Sequence, residues 1–128
     1  MKLKEITITA GGDSADFPAG PPAVTVGQAN TLMGIKRDRL ILRAQEELQA
    51  MKTAGAAEIS ADFFALRLYV YPSAMAAVIS HENIPNWPAG GDLPFAEFCQ
   101  LPDEFFTRWD RAVFDLNPHW FATVKKNN

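Results

Sequence analysis

RLYVYPSAMAAVIS, running from Arg67 to Ser80, is the stretch on which the fold class turns. Leu66, Leu68 and Val70 alternate with Arg67, Tyr69 and Tyr71, the two-residue period of a strand, and Pro72 interrupts any helix that passes through it. Beyond the proline, SAMAAVIS is rich in alanine and favours a helix. We read one helix here: Ser60 caps it, Asp62 sits in its first turn, and it kinks at Tyr71-Pro72 before continuing. On that reading the fold is mainly α, a small helical domain with a short N-terminal β-hairpin or strand pair. An α+β fold is the alternative, and it follows if this stretch contains a strand.

Upstream, Leu40, Ile41, Ala44, Leu48 and Met51 recur at the 3.6-residue period of a helix, which the pattern places between Gln28 and Lys52, with Thr53-Ala54-Gly55 as its stop. Lys2 to Thr9 alternates with β-branched residues in its second half, and Ala23 to Val26 can return beside it. The AGGDSADFPAGPP stretch between them has loop chemistry. Downstream, HENIPNWPAGG reads as an irregular connection. Pro94 and Pro102 then open a short helix FAEFCQL and a longer one DEFFTRWDRAVFDLN, which Asn117-Pro118 ends. The organisation expected is an arm over residues 1–27, a helical domain over 28–121 and a polar tail over 122–128.

A chain of 128 residues that is 48% hydrophobic and 21% charged is long and apolar enough for one domain with its own core. Its net charge of −3 opposes the phosphate-neutralising surface that nucleic acid requires, so nucleic acid is not an expected partner. The richest apolar run, Phe63 to Ile79, is broken by Arg67, Pro72 and Ser73, so no membrane partner is expected either. A single cysteine and an N-terminus without a long apolar core point to a reducing cytoplasm.

The residues capable of chemistry do not converge. His81 and His119 lie far apart without ligand spacing, so no metal is expected. Cys99 sits among Phe95, Phe98 and Leu101, where a thiol behaves as a small hydrophobe. Gly11-Gly12-Asp13 and Gly90-Gly91-Asp92 lack the rest of a phosphate loop and read as turns. Asp103 and Glu104 are accounted for by a helix N-terminus, and Asp110 and Asp115 by a solvated face. No catalytic residue, metal or cofactor is expected, and the chain reads as a non-enzyme.

Charge and aromatic residues carry the remaining signal. Lys36, Arg39 and Arg43 share one helical face, either solvated, with Glu47 supporting Arg43, or available for docking an acidic partner. Residues 92–115 hold six acids against two bases, and such opposite poles favour weak head-to-tail self-association. Aromatic residues crowd the C-terminal third. Most belong to a core, and Trp87, Phe105, Trp109, Trp120 and Phe121 are the candidates for binding a partner.

Over residues 60–121, the Arg-containing helix ending in Tyr71-Pro72, the Trp87-Pro88 connection, the Phe95, Phe98, Leu101, Pro102 helix and Trp109 leading to Asn117-Pro118-His119-Trp120 resemble the tail assembly chaperones of long-tailed bacteriophages. The resemblance implies a mostly helical protein that binds the tape measure protein and keeps it soluble while the tail tube polymerises, in the host cytoplasm and not in the mature virion. It also implies the tail tube protein as a possible partner, and a longer, frameshifted form of the same chain, for which Lys125-Lys126 mark a candidate slippage point. The alternative is a small structural virion component, a head-tail connector or tail accessory protein.

Overall fold

In the computed structural model, which describes residues 2–11, 20–53 and 70–121, β1 (Glu5–Thr9) pairs antiparallel with β2 (Ala23–Gly27), in a register that sets Ile6 opposite Val26 and Ile8 opposite Val24. Val24 and Val26 face inward and are buried, whereas Thr7 and Thr25 face outward and their hydroxyls meet at 2.8 Å. Then α1 (Thr31–Thr53) crosses the molecule, its first turn capped by the Asn30 Oδ1, which accepts the Met33 amide at 2.9 Å.

The decisive stretch resolves into two elements. α2 (Tyr71–Ala76) is a short helix with Pro72 in its first turn and every residue buried. The chain then enters β3 (Val78–Glu82), which pairs antiparallel with β2, so β2 is the central strand of three. Thr25 pairs with Ser80 and Val26 with Val78, leaving Ile79 as the extra residue of a bulge over Gly27, where a Cβ would lie 2.6 Å from Ile79 Cδ1.

This corrects the mainly α expectation. Of the described residues about 50% are helical and 16% lie in strands, a three-stranded antiparallel sheet with four α-helices, roughly α+β. The helix expected to run on to Ser80 ends at Ala76, because Val78 and Ile79 are β-branched and the open edge of β2 offers them a ladder. Alanine serves packing instead: Ala74, Ala76 and Ala77 are buried and let α2 lie close to its neighbours. The Ala77 carbonyl accepts the Gly27 amide at 2.9 Å. The expected start of that helix at Ser60, much of the AGGDSADFPAGPP loop and the 122–128 tail lie outside the described residues.

An irregular connection follows β3, with Asn83 and Asn86 at positive φ. After it come α3 (Phe95–Phe98), α4 (Asp103–Leu116) and a 3₁₀ turn (Pro118–Trp120). α4 buries Phe105, Trp109, Ala112 and Val113 against the sheet and α2, the stripe that its periodicity requires. Trp109 is the centre of the core: its Nε1–H donates to the Ala74 carbonyl at 3.2 Å, and Phe98, Phe105 and Trp87 surround its ring. At the end of α4, Asn117 is fully buried, accepting the Ala29 amide and donating to the Gly27 carbonyl.

Candidate functional site

α1 turns Leu40 and Ala44 into the core, and Arg37 follows them partway. The Arg37 Nε donates to Ser73 Oγ at 2.8 Å, its Nη2 donates to the Trp120 carbonyl at 3.1 Å, and the guanidinium lies 5.3 Å from the Trp120 ring centroid. Burial lowers its pKa, an effect that neighbouring Asp38 opposes. Arg37 is thus an internal tie between α1, α2 and the 3₁₀ turn at Pro118–Trp120.

A different face of α1 remains outside. Leu32, Lys36, Arg39 and Arg43 follow one another at steps of four, three and four residues, which aligns them along one side of the helix. With Ile35 and Leu40 they form one wall of a groove of about 350 Å³, and Gly90, Gly91 and Asp92 form the other. Trp87 shapes that second wall, since its Nε1–H donates to the Gly91 carbonyl at 2.9 Å. Lys36 and Asp92 close to 2.6 Å across the groove, while among the described residues Arg39 and Arg43 form no ion pair. Leu32 is 74% exposed and Ile35 49%, and Leu42 beside this face is 61% exposed. These are large apolar side chains left exposed on the surface of α1.

The three docking candidates, Lys36, Arg39 and Arg43, are therefore brought together in one groove. Their apolar neighbours Leu32, Ile35 and Leu42 escaped the sequence reading, which followed only the stripe through Leu40 and Ala44. The available signal was that α1 carries leucine and isoleucine off that stripe. The Glu47 side chain, expected to support Arg43, lies outside the described residues.

The aromatic candidates divide. Phe105 and Trp109 are 1% and 0% exposed, so they are core residues and no partner reaches them in this fold. Trp120 is buried under Arg37. Trp87 is half-buried, with one face stacked on His81 at 3.8 Å and the other turned toward Trp109 at 6.2 Å. Phe121 is half-buried and 5.2 Å from Phe114, which is 44% exposed. These two line another cleft with Val70, Thr107, Asp110 and Arg111, where burial raises the Asp110 carboxyl pKa.

Among the described residues no group of three or more His, Cys, Asp or Glu is placed to hold a metal ion, and no helix is long and apolar enough to cross a membrane. His81 is committed to the Trp87 stack and His119 lies beside Trp120. Every buried side-chain polar atom among the described residues has a hydrogen-bond partner, so no unpaired group is aimed into a cavity. Set against known protein families, curated proteins and solved structures, the chain has no match.

Proposed function

We propose that this chain is a non-enzymatic tail assembly chaperone that binds the tape measure protein of a long-tailed phage in the host cytoplasm and leaves before the particle is complete. The observation that carries the reading is the outward face of α1. There Leu32, Ile35 and Leu42 stand in water beside Lys36, Arg39 and Arg43. A helical client presenting apolar side chains at helical spacing, with acids beside them, fits such a face. Each groove is short, so one copy covers one apolar stretch, and a long client is held by many copies whose avidity compensates for modest individual affinity. The resemblance over residues 60–121 supplies the identity of the client.

The test is co-expression with the longest open reading frame downstream of this gene, measuring that product's soluble fraction and its co-purification. The wild type is expected to solubilise it, and a Leu32→Ser, Ile35→Ser variant, whose changes lie on the exposed face, is expected to lose the effect while remaining folded. No gain in solubility with the wild type overturns the reading. So does stoichiometric presence of the protein in purified particles by mass spectrometry, which is the outcome for a structural virion component.

A further inference from the structure

We infer that α1 of one copy docks antiparallel on α4 of a second copy, so that the protein assembles head to tail through two different faces. On α4, Asp103, Thr107, Asp110 and Phe114 follow one another at steps of four, three and four residues, the same steps that separate Leu32, Lys36, Arg39 and Arg43 on α1. Laid antiparallel, the two rows match along their whole length: Arg43 against Asp103, Arg39 against Thr107, Lys36 against Asp110 and Leu32 against Phe114. Each row spans about 16 Å at 1.5 Å per residue. The parallel arrangement sets Leu32 on Asp103 and Arg43 on Phe114, keeping one ion pair and losing the apolar one.

The side chains in these rows are those the fold leaves available. Asp103, Thr107, Phe114, Leu32, Arg39 and Arg43 are exposed, and Asp110 and Lys36 half-buried. Elsewhere on α4 the charges are already balanced within the helix, Glu104 by Arg108 at 4.0 Å and Asp115 by Arg111 at 3.2 Å. Asp103 and Asp110 have no ion-pair partner among the described residues, and neither do Arg39 and Arg43. Among the described residues, the acids without an ion pair thus share one face of α4 and the bases without one share a face of α1. Lys36 keeps two N–H donors for Asp110 while it holds Asp92. Two glycines in the opposite wall leave the groove open to an approaching helix.

Because the two faces differ, each contact leaves a free groove at one end and a free α4 at the other. Growth then continues until a ring closes or a filament extends. Exposed ion pairs are individually weak and screened by salt, so the assembly forms at high concentration and dissolves as the Debye length falls from about 10 Å at 0.1 M to about 3 Å at 1 M salt. The inference concerns the purified protein alone and stands whether or not the client reading does.

The experiment is sedimentation velocity on the purified full chain, across a wide dilution range at low and high salt. The wild type is expected to gain mass with concentration at low salt only. Arg43→Asp and Asp103→Arg, each checked for folding by circular dichroism, are expected to weaken assembly by about tenfold or more, since each sets like charges opposite. An equimolar mixture of these two variants is expected to assemble again, because the native α4 of the first meets the native groove of the second and the two reversed faces meet each other. A wild type that stays monomeric throughout, single variants that assemble like it, or a mixture that stays monomeric each overturns the inference.

Discussion

Asn117 and Ala29, 88 residues apart in the chain, are joined by a hydrogen bond in which the Ala29 amide donates to Asn117 Oδ1 at 2.6 Å. The same side chain donates from Nδ2 to the Gly27 carbonyl at 3.1 Å, so one fully buried amide secures the turn that leads from β2 into α1. Replacing Asn117 with alanine strands a donor and an acceptor at once. We expect a loss of about 2–4 kcal/mol, read as a lower urea midpoint with an unchanged slope; an unchanged midpoint contradicts the role given to this residue.

Trp109→Ala removes the largest fully buried side chain among the described residues, and Trp109→Phe removes chiefly the hydrogen bond to Ala74 and part of the ring contacts. Alanine is expected to cost about 3–5 kcal/mol and phenylalanine distinctly less. Calorimetry separates them. If both variants melt with the wild type, Trp109 is not the centre of the core.

Arg37→Lys keeps the charge and gives up the planar fork that reaches Ser73 and the Trp120 carbonyl together. We expect a loss of about 1–2 kcal/mol despite the nominal conservation, accompanied by a change in tryptophan fluorescence as Trp120 loses its cover. A variant equal to wild type in both readouts argues that the guanidinium geometry is immaterial.

Burial raises the Asp110 carboxyl pKa in the folded state above its unfolded value. Its contribution to stability is therefore fully present below the unfolded pKa and is lost as pH rises through the folded one. Asp110→Asn does not titrate, so relative to wild type it is expected to gain stability between about pH 3 and about pH 7. The gain is small, under about 1 kcal/mol, because Asp110 is only half-buried. Urea midpoints of dilute protein across that range check the sign, and a gain that shrinks toward neutrality contradicts it.

The parts of the fold that were legible from sequence are those where local pattern and tertiary demand agree. The Leu40 to Met51 period announced α1, observed from Thr31 to Thr53. The Phe105, Trp109, Val113 stripe announced α4, and the alternation before Thr9 announced β1. β3 was not legible, because Val78 and Ile79 follow an alanine-rich run whose helical propensity is satisfied in α2. The pairing with β2 that extends them is not a local property. The basic face of α1 was legible through spacing alone. The division of the aromatics was not, since whether Trp109 or Phe114 meets water depends on which side of α4 lies against the sheet.

The amide of Asn117 also bears on the order in which the chain folds. The residues it secures lie near the start of the chain, and Arg108 on the same helix donates to the Thr9 carbonyl at 2.6 Å. The hairpin is synthesised before its lining, so until α4 arrives Val24 and Val26 lack the helix that packs on β2. Folding must close long loops before those contacts repay them, a topology associated with slow folding. Nascent chains that end before α4 are expected to behave as unfolded polypeptide, and the completed chain to unfold in a single cooperative step.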